Sequence, residues 1–268
     1  MCLSIREQTV ETNGIRMNCI RFGRGMRTLL LISGLSLRDV RGPEAAFGLW
    51  YLYRSFGDAF TVYCFDRREN LPEGFTVRDM AEDIAAGMEA LSLRDACVLG
   101  VSQGGMIAQY LALGHPKLVS RLVLGVTASR TNDSIRENIL RWDSFVKDGN
   151  LRAVIADYTE RTSSERTLKK YRILLPVLVR TMKMMDPARF RVCLLACLTC
   201  DTYEALPDIS CPVLVLGGAK DTLVTGAASL EIAERIGCPV HLYENGTHAV
   251  YEEEAKDFNR RVREFFQA

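Results

Sequence analysis

The chain has 268 residues, 48% of them hydrophobic and 25% charged, and a formal net charge of +1. That is enough apolar material for one sizeable α/β core plus an insertion. The balanced charge argues against a nucleic-acid or membrane-surface protein, and with no run of 18 apolar residues no transmembrane helix is expected.

The segment Met1 to Gln8 has neither a long apolar stretch nor a small-residue cleavage site, so no signal peptide is expected. Nine cysteines, an odd number, lie scattered through apolar stretches and read as reduced core residues rather than a disulfide framework. Together these features predict a cytoplasmic protein.

In chain order, Gln8 to Glu11 and Ile15 to Phe22 flank Asn13-Gly14, a hairpin signal. Thr28 to Ile32 is a continuous apolar run, as for a strand buried on both faces. It exits into Ser33-Gly34-Leu35-Ser36, a loop whose N–H groups are free to fold over a neighbouring site. Pro43 to Phe56 predicts an amphipathic helix with Trp50, Tyr51 and Tyr53 packing inward. Phe60 to Phe65 predicts a strand, and the following Asp66-Arg67-Arg68-Glu69-Asn70 reads as a solvated, salt-bridged loop. Met80, Ile84, Met88 and Leu91 have helical spacing, opened by a capping pair, Thr76 and Asp79.

The stretch that carries the chemistry is Cys97-Val98-Leu99-Gly100-Val101-Ser102-Gln103-Gly104-Gly105. It is Gly-x-Ser-x-Gly between a short apolar strand and a helix running to about Leu113, ended by Gly114-His115-Pro116. A strand turning sharply into a helix holds the middle residue in a strained, accessible position, with helix N–H groups nearby for a developing anion. Leu122 to Thr127 predicts the next strand. From Arg130 to Ala205 strand signals vanish, and helices are expected over Ser134 to Lys147, Leu151 to Tyr158, Thr167 to Met185 and Pro187 to Cys200. Strands resume at Pro212 to Leu216 and Pro239 to Tyr243, before a closing helix from Val250 to Phe266. Strands alternating with helices predict a mostly parallel sheet covered on both faces. The expected organisation is a core of residues 1–129 and 206–268, with residues 130–205 as a helical cap over the strand ends.

A serine nucleophile needs a base within hydrogen-bond reach. Of three histidines, His115 ends a helix and His241 lies within a strand. His248 follows the last strand in a glycine-containing loop, where open α/β sheets place their sites, and is the expected base. Asp221, directly after the strand ending Leu216-Gly217-Gly218, is the expected acid. The rival, Asp133, opens a helical run and is explained by N-capping.

The order Ser102, Asp221, His248, the Phe65-Asp66-Arg67 strand exit and the Gly-Gly-Ala-Lys-Asp and Gly-Thr-His segments resemble the α/β-hydrolase superfamily, in its lidded esterase, lactonase and carbon–carbon hydrolase members. The resemblance spans nearly the whole chain. It implies an eight-stranded sheet, a cap inserted after the sixth strand, and an oxyanion hole from the backbone N–H groups of Leu35 and Gln103. It also implies cofactor-free, metal-free acyl transfer on a small carboxylic ester, lactone or thioester. Two departures stand out: Ser33-Gly34 replaces the usual His-Gly, and Arg67-Arg68-Glu69-Asn70-Leu71-Pro72 replaces Arg-Gly-x-Gly-x-Ser. Serine at the elbow argues against the dehalogenases and epoxide hydrolases of this fold, which use aspartate. The alternatives are a proline-iminopeptidase-like peptidase and a non-catalytic small-molecule-binding protein.

Residues 130–204 carry 14 Lys and Arg against 10 Asp and Glu, a balance compatible with an anionic substrate or with solvated helix faces. Cys193, Cys197 and Cys200 share one helical face but lack a fourth metal ligand, and read as small apolar residues. Met182, Met184, Met185, Trp142, Tyr158 and Tyr171 are expected in the cap core or along its pocket. An exposed apolar cap face would pair two chains as a homodimer.

Overall fold

The computed structural model describes residues 5–171 and 185–268. Strands β1 (Arg6–Thr12) and β2 (Ile15–Gly23) form the antiparallel hairpin, with Asn13 at φ 49° and Gly14 at φ 75° making the tight turn. β2 pairs antiparallel with β4 (Phe60–Phe65). From β4 onward pairing is parallel, through β3 (Arg27–Ile32), β5 (Ala96–Val101), β6 (Val119–Gly125), β7 (Val213–Gly218) and β8 (Val240–Tyr243). The result is one eight-stranded sheet of order β1-β2-β4-β3-β5-β6-β7-β8. This is the mostly parallel sheet that the strand–helix alternation predicted, with the eight strands that the α/β-hydrolase resemblance implied.

Consecutive residues of a central strand face opposite sides, so its apolar run feeds two cores. Leu30 and Ile32 of β3 join one, with α2 (Val77–Ala90), α3 (Gln103–Gly114) and α8 (Gly226–Ile236). Leu29 and Leu31 join the other, with α1 (Gly42–Tyr53) and α10 (Ala255–Gln267), which buries Phe258, Val262 and Phe266 at four-residue spacing. Between β6 and β7 come only helices among the described residues: α4 (Asp133–Lys147), α5 (Leu151–Thr162), α6 (Glu165–Tyr171) and α7 (Pro187–Ala196). Trp142 is buried there, donating Nε1 to Asp157 at 2.8 Å, with its ring tilted 51° against that of Tyr158. Met182 and Met184, most of the helix expected over 167–185, and the Tyr171 side chain lie outside what is described.

Several expectations are corrected. Asp66 and Arg67 are buried, not solvated. The Asp66 carboxylate accepts the Val40 and Arg67 N–H groups and faces Arg189, and only Arg68 and Glu69 form the outer ion pairs, with Asp83 and Arg41. Tyr51 does not pack inward: it is 59% exposed and stacks against the Arg54 guanidinium. The N-cap of α4 is Asn132, which accepts from Ile135, while Asp133 occupies the first helical turn. The closing helix is two: a single turn, α9 (Val250–Glu253), precedes α10. Glu253 in that turn accepts from the Ser164 N–H and hydroxyl, tying it to the inserted helices.

Candidate active site

Ser102 ends β5 and opens α3 at φ 55°, ψ −122°, a conformation that non-glycine residues rarely hold. The turn is locked from several sides. The Ser102 N–H donates to Gly125 O, its carbonyl accepts from Gly105 and Met106, and the Thr127 hydroxyl donates to the same carbonyl at 2.7 Å. The loop leaving β3 runs against the serine: a Cβ on Gly34 would lie 3.1 Å from Ser102 Cβ and 3.7 Å from its Oγ. Gln103 begins α3, and the first N–H groups of a helix have no acceptor within it.

His248 and Asp221 sit on the loops after β8 and β7. Those loops are zipped together by Ala219 N to Tyr243 O and Lys220 N to Gly246 O, and Lys220 Nζ donates to Asn245. The fold therefore delivers all three side chains to the C-terminal edge of the parallel strands, after β5, β7 and β8. His248 Nε2 lies 2.9 Å from Ser102 Oγ, and His248 Nδ1 lies 2.8 Å from Asp221 Oδ2. The His248 and Asp221 side chains are each only 1% exposed. The other Asp221 oxygen accepts from the Leu223 and Val224 N–H groups at 2.8 and 3.0 Å. Burial alone would raise the Asp221 pKa. The His248 charge and hydrogen bond, with those two N–H donors, outweigh it and hold the carboxyl below its ordinary value. An ionised Asp221 accepting from Nδ1–H leaves Nε2 free to accept the serine proton.

The other candidates fall elsewhere. Asp133 is exposed, His115 pairs with Glu82 at 2.9 Å, and His241 stacks edge-on against Tyr243. Cys193, Cys197 and Cys200 are buried, their thiol pKa values pushed up by burial. Among the described residues no cluster of His, Cys, Asp or Glu could hold a metal ion. No described helix is long and apolar enough to cross a membrane.

A cavity of about 740 Å³ opens over His248, lined by Tyr158, Thr159, Arg166, Lys170 and Glu252 among others. A second, of about 330 Å³, lies beneath the Ser33–Arg38 loop and takes apolar walls from Leu35, Leu37, Leu49 and Leu52. The two share Ile155, Tyr158, Thr159, Tyr251 and Glu252. Glu252 was not singled out from sequence. It lines both cavities with its side chain exposed to them, on the same loop-helix segment as His248. Arg67 and Arg189 were missed as well. Their signal was positional: Asp66-Arg67 leaves a buried strand at the same sheet edge as Asp221.

The profile of the alpha/beta hydrolase family matches residues 29–261. The chain belongs to this family. Among alpha/beta hydrolases, it is 28% identical to the serine hydrolase BPHL of Homo sapiens, over 98% of this chain and 87% of that protein. It is 22% identical to 3-oxoadipate enol-lactonase 2 of Acinetobacter baylyi, over 96% and 95% of the two chains. The enol-lactonase of Burkholderia xenovorans shares the fold at TM-score 0.83 and 19% identity, over 97% of this chain and 100% of that one. The family assignment and these relatives support a hydrolase in the general sense.

Proposed function

We propose that this alpha/beta hydrolase is a serine hydrolase that cleaves a small carboxylic ester, lactone or thioester through an acyl-enzyme on Ser102. The observation that carries the reading is the continuous Ser102–His248–Asp221 hydrogen-bond chain, at 2.9 and 2.8 Å. As Ser102 Oγ bonds to the substrate carbonyl carbon, its proton passes to His248 Nε2, and Asp221 stabilises the imidazolium. The Leu35 and Gln103 N–H groups receive the oxyanion, each donor contributing roughly 3 kcal/mol. Collapse breaks the bond to the leaving group, which takes the proton from His248. Water then adds to the acyl carbon, returns a proton to Nε2, and the acid departs as Ser102 recovers its hydrogen.

Helices α4–α7 act in this reading as a cap, with the apolar chamber beneath the Ser33–Arg38 loop suited to an acyl group. Two similar proteins are enol-lactonases by name, which puts lactones in the first substrate screen beside short acyl esters. The deciding experiment is intact-protein mass after fluorophosphonate treatment, on the wild type and Ser102→Ala. One adduct on the wild type, absent from the variant, is expected. A folded wild type that takes no adduct overturns the reading and leaves a small-molecule-binding role.

A further inference from the structure

Arg67, just beyond β4, makes contacts that the proposed chemistry has not used. It is only 8% exposed, and its Nη2 donates both to Ser33 O at 2.8 Å and to Gln103 Oε1 at 3.2 Å. Ser33 opens the loop that carries Leu35, and Gln103 is the residue after the nucleophile. One nitrogen thus ties together the two segments whose N–H groups are assigned to the oxyanion. The tie continues outward. Gln103 Nε2 donates to Cys193 O at 2.5 Å and lies 3.1 Å from Cys197 Sγ, so the elbow side chain is pinned to α7 and the turn after it. Behind, Arg67 O accepts from Arg189 Nη2 at 2.9 Å, and Arg67 N donates to Asp66 Oδ1 at 2.8 Å.

This placement is poor as a device for stability. A buried guanidinium is expensive unless its donors are satisfied, and Arg67 Nε has no hydrogen-bond partner. An apolar side chain of similar length would fill the space without that penalty. What a long cation with a two-hydrogen nitrogen at its tip supplies is simultaneous bonds to the Ser33 carbonyl and the Gln103 side chain, on two segments that no strand pairing joins at this point.

We propose that Arg67 is a positioning residue for the oxyanion hole, fixing the separation between the Leu35 and Gln103 N–H groups through its shared bond to Ser33 O and Gln103 Oε1. The proposal rests on the serine-hydrolase reading above. Oxyanion donors must meet the developing charge at about 2.7–3.1 Å, and a misplacement of about 1 Å lowers rate about a hundredfold.

The test compares wild type with Arg67→Met, Arg67→Lys, Gln103→Met and the Arg67→Met/Gln103→Met double variant. The readouts are kcat and KM on a short acyl ester, the rate and end point of fluorophosphonate labelling, and thermal midpoint. Arg67→Met is expected to reach one adduct per chain while kcat and labelling rate fall about a hundredfold and KM stays within about threefold. Arg67→Lys, which keeps the positive charge and N–H donors at a shorter reach, should recover at least about fivefold of that loss. The double variant should be no worse than Arg67→Met within about threefold, because one network is broken either way. A lower thermal midpoint with unchanged kcat per labelled site would show a merely structural residue and overturn the proposal. If Arg67→Met does not fold, Arg67→Lys and Gln103→Met decide, and wild-type kcat in both overturns it. A wild type inert to esters and to the phosphonate defeats the serine-hydrolase reading and this proposal with it. An active wild type matched by its Arg67 variants defeats this proposal alone.

Discussion

Gly104 lies against the backbone of Ile32 so closely that no side chain fits between them. A Cβ on Gly104 would stand 2.6 Å from the Ile32 carbonyl carbon, 2.7 Å from Ser33 O, and nearer still to Ile32 O. The last glycine of the Gly-x-Ser-x-Gly motif is therefore what allows the loop carrying Leu35 to rest on the first turn of α3. Gly104→Ala must push that loop and Ser102 apart. We expect a destabilisation of about 1–3 kcal/mol, as for other overpacked sites. The fall in kcat should be larger than the unfolded fraction explains, since a donor is displaced. Urea titration and ester turnover on the same preparation check both halves.

The acid of the proposed triad can be assigned by substitution. Asp221 accepts from His248 Nδ1 and from two backbone N–H groups, whereas Asp133 is an exposed residue of the first turn of α4. Asp221→Asn places an amide where the tautomer-fixing acceptor was and should lower kcat by about 10⁴. Asp133→Asn should leave kcat within about twofold of wild type. Full activity in the first and loss in the second would move the acid to Asp133.

Much of this was written locally in the sequence. The Asn13-Gly14 hairpin, the apolar parallel strands and the Thr76–Asp79 capping box each depend on neighbours in the chain, and the structure contains all three. Ser102, Asp221 and His248 were selected because each follows a strand, and the parallel sheet brings them within hydrogen-bond distance. What could not be read depends on partners far along the chain. Asp66 and Arg67 look like a solvated charge cluster until Arg189, more than 120 positions later, is seen to cover them. Tyr51 scores as apolar, yet its ring is served by Arg54 at the surface. Glu252 resembles any helix-surface acid, and only the placement of the inserted helices opposite it makes it a lining residue of the cavity over His248.

Arg189 is the main fastener between α7 and the sheet edge. Its guanidinium donates to the carbonyl oxygens of Arg67, Arg68 and Glu69 and pairs with Asp39 at 3.0 Å. Arg189→Ala would leave those carbonyls without a donor on a largely buried surface, and charged hydrogen bonds of this kind contribute about 1.5–3 kcal/mol. A drop of about 2–4 kcal/mol in unfolding free energy is expected, with Arg189→Lys recovering only part because it lacks the fork. Hydrogen exchange should rise at the Met185 N–H, which donates to Leu37 O at the adjoining junction. An unchanged denaturation midpoint in Arg189→Ala would refute the assignment.

The buried carboxyl of the site predicts a pH dependence of stability. Asp221 has a folded pKa held below its ordinary value by the His248 charge and hydrogen bonds, against the pull of burial. Its contribution to stability is thus complete above the ordinary carboxylate value of about 4 and disappears as pH falls through the lowered one. Asp221→Asn should be less stable than wild type at pH 7, the gap closing in acid. Urea unfolding of the wild type and Asp221→Asn at pH 7, 4 and 3 reads this slope, and parallel stability curves would show that the Asp221 carboxyl is not perturbed by its surroundings.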